Sequence, residues 1–167
     1  RSPNWVYRPV SGPKMQLLLR NAALSDDMGL RFGDRTWSGW PLTAEKFASW
    51  LHSLEGSADI INIFNDMHLF GLRHAHDSGI FDFMAALPEA LLADSRFSFA
   101  TPASLAGKHK PAGEVDVPQF MSWEDSGNDL TSWLGNDMQK DAIHALYSLA
   151  ARVRASGDKM LLHDFAR

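Results

Sequence analysis

Asn65, Asp66 and His68 stand within four positions at the end of the apolar run Ile60-Ile61-Asn62-Ile63-Phe64. A carboxylate and an imidazole so placed can hold or move a proton, and the carboxyl ends of strands are where α/β proteins bind their ligands. Asp66 is therefore the first candidate for chemistry, against the commoner role of such an aspartate as a turn former or helix cap. A second polar cluster, His74-Ala75-His76-Asp77, follows. His-x-His with a nearby Asp can hold zinc or another divalent ion, but the same residues also suit a solvated loop. No metal and no cofactor is expected. Asp26 and Asp27 form a further acidic pair, best explained as first-turn residues of a helix capped by Ser25.

Two carboxylates flanking a sugar would be a different chemistry, one serving as acid and base and the other, about 5 Å away, as nucleophile. Asp66 could be one of them. Its partner would have to be found among Asp26, Asp27, Asp34, Glu124, Asp125 and Asp129, none at so persuasive a strand end. The indoles Trp37, Trp40, Trp123 and Trp133 suit such a site, because their flat faces stack on pyranose rings while N–H donates. His68, beside Asp66, joins them as a candidate substrate contact. Core packing competes for each Trp, most strongly for Trp133 at helical spacing from Leu130 and Leu134. The chain has no Cys and no Gly-rich phosphate loop or G-x-S-x-G elbow, which sets aside thiolate metal sites, nucleotide binding and the common acyl-transfer triads.

These residues need elements to position them. Met15 to Leu19 reads as a short buried strand, and the run from Ile60 to Phe64 as a strand covered on both faces. Between them, Thr43 caps a helix in which Ala44, Phe47, Ala48, Leu51 and Leu54 share a face, closed by Gly56. A second helix fits Gly79 to Leu87, with Pro88 opening a separate turn through Leu92. Phe97 and Phe99 flank a brief strand, and Thr101-Pro102 starts a third helix. Strand, helix and strand in succession build parallel sheets. Gly107 to Pro118 is a surface loop. Beyond it the pattern turns helical: Asp129 to Leu134, a long helix from Asp137 to Arg154 with Ile143, Leu146, Tyr147, Ala150 and Val153 as its buried stripe, and a last helix after Gly157.

With 167 residues and a net charge of −4, the chain can bury one core and carries no basic stripe for nucleic acid. No apolar run reaches the roughly 18 residues of a membrane span. The chain opens at Arg1-Ser2-Pro3 without an initiator Met and ends inside a helical pattern, which reads as a piece of a longer protein. The compartment is left open, with the cytoplasm favoured.

Four blocks together resemble the later half of the catalytic domain of glycoside hydrolase family 57, α-amylase-type. They are Leu17-Leu18-Leu19-Arg20-Asn21 with Leu24-Ser25-Asp26-Asp27; Trp37 with Pro41 to Lys46; Ile61 to Gly71 with Gly79 to Phe83 and Leu87-Pro88; and Ser122-Trp123 with Asp129-Leu130 and Trp133 to Asn136. The resemblance covers nearly the whole chain. It implies an α/β fold, a partial (β/α)7 barrel over residues 1–118 followed by a helical segment over 119–167, truncated at both ends. It also implies a retaining glycosidase acting on α-glucan or maltooligosaccharide, with Asp66 as general acid/base. The nucleophilic Glu would lie upstream of Ser2-Pro3-Asn4, in a missing N-terminal half of the same domain. The family writes its acid/base block Asp-Tyr-Glu-Thr-Phe-Gly-Glu-His, whereas Met67, His68, Leu69, Leu72 and Arg73 stand here at the differing positions after Asp66, with His74 displaced by one. Losing the neighbouring carboxylates suits a general acid less well. The alternative implied is a catalytically degenerate member that binds glucan or serves a structural role.

Overall fold

The computed structural model describes residues 1–11, 15–122 and 129–166. Two compact units divide the chain, Arg1–Asp116 and Val117–Arg167. The first is mixed α/β, around a three-stranded sheet of order β2-β1-β3. Strand β1 (Val6–Pro9) pairs antiparallel with β2 (Leu17–Leu18), Val6 opposite Leu18, and parallel with β3 (Glu114–Val115), Arg8 opposite Glu114. Val6 and Tyr7, neighbours that point to opposite faces of β1, are both buried, so the sheet is covered on both sides there. The Gly107–Pro118 stretch, read as a loop, thus supplies the parallel edge strand.

Helix α1 spans Ala22–Gly29 and is capped by Asn21, whose side-chain oxygen accepts the Leu24 N–H at 3.1 Å. The cap expected at Ser25 is corrected: Ser25 lies inside the helix with 0% exposure. Asn is as good a cap as Ser, and the Asn21 amide is also held by Asn4 Oδ1 at 2.9 Å, so the helix starts earlier. Asp26 and Asp27 then fall in its later turns, away from the favourable end of the dipole, and each pairs with an arginine, Arg20 and Arg31 respectively. Helix α2 (Ala44–His52) has Thr43 as cap, as its sequence predicts.

Helix α3 runs from Ile80 to Leu92 straight through Pro88, so the separate turn expected there is also corrected. Leu87 and Leu91 on either side of Pro88 are buried, and their packing holds the helix across the missing N–H. It starts after Gly79, whose φ of 81° lies in the left-handed region that glycine tolerates. Helix α4 (Pro102–Lys108) carries the expected Thr101 cap. The brief strand expected at Phe97–Phe99 does not form: Phe97 packs against His52 with ring centroids 4.7 Å apart and planes tilted by 49°, and Phe99 is exposed.

Helices α2 and α3 pack side by side and point the same way. Phe47 meets Phe83 edge to face at 5.8 Å, while near the other ends the His52 Nε2–H donates to the Leu91 carbonyl at 3.0 Å. Phe32 completes the cluster against Phe83 at 5.3 Å. With Leu24, Met28, Leu42, Leu51 and Ile80 these rings make the core, each buried side chain contributing roughly 1.5–3 kcal/mol.

The run Ile60–Phe64 is extended but joins no ladder, which corrects its reading as a regular strand. Its polar groups are met one at a time: Asn4 O accepts the N–H of Asp59 and Ile60, and the Asn21 N–H donates to Asn62 O at 2.9 Å. The Asn62 amide donates to Leu19 O at 3.0 Å, and Phe64 N–H donates to Ser25 Oγ at 3.1 Å. Ile61 and Ile63 meanwhile face the helical core, as alternation along an extended chain requires. Both faces are covered, but isolated backbone and side-chain partners stand where a neighbouring strand would. The strand-helix succession therefore yields one parallel strand pairing among the described residues instead of a run of them.

The second unit holds α5 (Thr131–Leu134), α6 (Asp137–Ser148), α7 (Ala150–Ser156) and α8 (Lys159–Phe165). A capping box of Asn136 and Gln139 starts α6, and Gly157 at φ 67° ends α7. The single long helix expected from Asp137 is interrupted at Leu149. Its stripe is a further correction: Val153 is buried, whereas Leu146 and Tyr147 are exposed. Periodicity identified the apolar face but not what covers it.

Candidate active site

Asp66 stands where the extended run ends. Its backbone is extended, and its carbonyl accepts the Leu69 N–H at 3.1 Å, opening a single 3-10 turn over Met67–Leu69. The carboxylate is 62% exposed, with His68 Nδ1 3.9 Å from its Oδ2. These two predicted site residues are thus brought together. They lie at the end of the unit to which α2 and α3 turn their N-termini, because the chain crosses from the C-terminal end of α2 through Ile60–Phe64 to the start of α3.

Helix α1 is the template that places this segment. Arg20, leading into it, donates from Nε to Phe64 O at 3.0 Å and from Nη2 to Asp26 at 2.6 Å, so one guanidinium joins the run to the helix. Ser25 takes the Phe64 N–H. The Asn65 amide, oriented to satisfy its donors, gives one hydrogen bond to Ser25 O at 3.1 Å. Gly29 allows the closest approach: a Cβ there would lie 2.4 Å from the Asn65 amide group and 2.7 Å from Leu69 Cδ1.

His74, read as part of a loop cluster, is buried at 6% exposure and donates from Nε2 to the Gly29 carbonyl at 2.7 Å. That bond puts the proton on Nε2, while Phe32 meets the ring edge to face at 5.6 Å. His76 and Asp77 are exposed on a separate 3-10 turn. Among the described residues no three of His, Asp and Glu converge as a metal site would need. Arg20, Ser25 and His74 are the residues whose roles sequence reasoning missed. Only Arg20, at the end of an apolar run, carried even a faint signal.

Four of the six carboxylates considered as partners for Asp66 are engaged elsewhere. Asp26 and Asp27 are ion-paired, and Asp34 and Asp129 each accept from the backbone and hydroxyl of the residue two ahead, Thr36 and Thr131. Those hydroxyl bonds hold both carboxyls below the ordinary carboxylate range. Glu124 and Asp125 lie outside the described residues, as does Trp123.

Trp37 is half-buried, edge to face with Trp50 at 6.0 Å, its ring closing over Gly39. Trp40, hydrogen-bonded to it through the backbone at 2.9 Å, is 42% exposed with Arg35 over its ring. A shallow groove of about 330 Å³ runs past Trp40, Pro41, Thr43 and Glu45 to Gly79 and Asp82, between the N-termini of α2 and α3. Asp66 and His68 do not line it. Trp133 is exposed on α5, within the second unit.

Residues 1–118 match the model of glycosyl hydrolase family 57. The chain is 37% identical over 162 residues to a protein of Methanocaldococcus jannaschii named "Putative alpha-amylase", a match covering 96% of this chain and 34% of that protein. The chain thus spans about a third of the length of this curated relative. No solved structure matches.

Proposed function

Since the chain belongs to glycosyl hydrolase family 57, we propose that it carries the acid/base part of a retaining site for α-1,4-glucan or maltooligosaccharide, with Asp66 as the proton-transferring residue. The observation that carries this reading is the setting of Asp66: an accessible carboxylate at the end of an extended run, beside an imidazole and held by α1. Asp66 gives its proton to the glycosidic oxygen as the bond breaks and takes one from the water that frees the glycosyl-enzyme. The nucleophilic glutamate is supplied from upstream of Ser2-Pro3-Asn4, outside the residues of this chain. Trp37, Trp40, Trp123 and Trp133 serve as substrate platforms, Trp40 and Trp133 being exposed and Trp37 half-buried, and His68 contacts the sugar beside Asp66. The parallel packing of α2 and α3 around the extended run supports a (β/α)7 barrel for the complete domain.

In the protein expressed from its full natural reading frame, maltooligosaccharide should release reducing ends. Asp66→Asn should lower kcat by about 10²–10⁴-fold with binding retained. An unchanged rate removes Asp66 from the role. A second reading, a degenerate member that binds glucan without cleaving it, draws on the block after Asp66, where the apolar Met67 and Leu72 are 82% and 80% exposed. Glucan binding with no product at any enzyme concentration would favour it.

A further inference from the structure

We propose that His74 is a positioning residue for Asp66, an inference that rests on the acid/base reading above. Eight positions separate them, but hydrogen bonds close the distance. Asp66 O accepts from Leu69 N at 3.1 Å, Leu69 O accepts from His74 N at 3.0 Å, and His68 O accepts from Arg73 N at 3.0 Å. Gly71 N returns to His74 O at 2.9 Å, and Phe70 and His74 form an isolated parallel bridge. The loop from Asp66 to His74 is therefore one closed body.

Two anchors tie that body to α1, and both act at Gly29. Leu69, 5% exposed, packs where a Gly29 side chain would stand, and the His74 Nε2–H donates to the Gly29 carbonyl at 2.7 Å. Gly29 is the last residue of α1, so its carbonyl lacks a partner within the helix, and His74 supplies one. The imidazole is buried against Phe32 and lies inside the unit, so it does not reach substrate. What it controls is where the loop sits on α1, and with it the direction of the Asp66 carboxylate. A displacement of about 1 Å at a proton-transferring group can cost about 10²-fold in rate.

The test compares two α-maltosides in the protein expressed from its full natural reading frame, one with an alkyl and one with a dinitrophenyl leaving group. Departure of the second needs little help from an acid. His74→Phe keeps an aromatic ring against Phe32 but donates nothing to Gly29. Its expected effect is a fall in kcat/KM, which reports the bond-breaking step, of about 10- to 100-fold on the alkyl substrate and a much smaller fall on the activated one. His74→Gln, which keeps an N–H donor, is the second arm, with a smaller loss showing the same dependence on leaving group. Should the Phe variant fail to fold, the Gln variant carries the comparison. Equal losses on both substrates, or none, overturn the positioning role. Asp66→Asn, run alongside, separates the two ideas. If that variant shows no dependence on leaving group, the acid/base assignment falls and takes the positioning role with it. If it does while the His74 variants do not, only the role of His74 falls.

Discussion

Asp66 owes its place to neutral hydrogen bonds more than to ion pairs. Among the described residues, Asn4, Asn21, Ser25, Asn62 and His74 are the buried polar ones, and each has a partner at 2.7–3.2 Å. Three of them, Asn21, Asn62 and Ser25, hold the extended run that ends at Asp66. Buried polar groups are costly when unmade, so this set specifies one register for the run against α1. Ser25 is the sharpest case, since its hydroxyl is the acceptor for the Phe64 N–H and no part of the residue is exposed. Ser25→Ala should lower stability by about 1–3 kcal/mol, read by urea denaturation, because the Phe64 N–H is left without its acceptor. A variant as stable as the parent would mean that another acceptor reaches the amide. The sequence made Ser25 a plausible cap, because residue type alone does not distinguish a hydroxyl that ends a helix from one that faces inward.

Helices α2 and α3 form the mechanical unit behind the site. Their apolar spacing was legible: Phe47, Ala48 and Leu51 in one, Ile80, Phe83 and Leu87 in the other, are all buried. Phe83 touches both Phe32 and Phe47 edge to face, which makes it the joint between the α1–α2 loop and the two helices. Phe83→Ala should destabilise the protein by about 3–5 kcal/mol in chemical denaturation, through lost transfer energy and the cavity left behind. A loss below about 1 kcal/mol would mean that the neighbouring rings collapse into the space. What periodicity could not supply was the extent of α3. Pro88 reads locally as a stop, and the buried leucines flanking it override that signal.

Across the whole molecule, acid sensitivity follows from carboxylates spread over both units. Asp34, Asp94 and Asp129 are all held below the ordinary range, Asp94 most strongly by its two-pronged bond to Arg96, which also pairs with Glu55. A carboxylate depressed by folding stabilises the native state above its unfolded pKa and loses that contribution as pH falls towards its folded value. Thermal midpoints should therefore be level from pH 7 to about 5 and decline below about pH 4. Asp94→Asn should flatten part of that decline, and an identical slope would remove Asp94 as a contributor. By itself the sequence determined family membership, the α2 cap at Thr43, the α4 cap at Thr101, and which faces of the helices are apolar. These are local matters, set by spacing within a turn or two and by the order of short blocks. Only the tertiary structure decided that Ile60–Phe64 is bonded by scattered backbone and side-chain groups of Asn4, α1 and its approach instead of by a strand, and that His74 is buried on Gly29 instead of standing in a loop. Those outcomes depend on residues 39 to 45 positions apart in the chain meeting in space (Ser25 with Phe64 and Asn65; His74 with Gly29), and no periodicity within a segment carries that information.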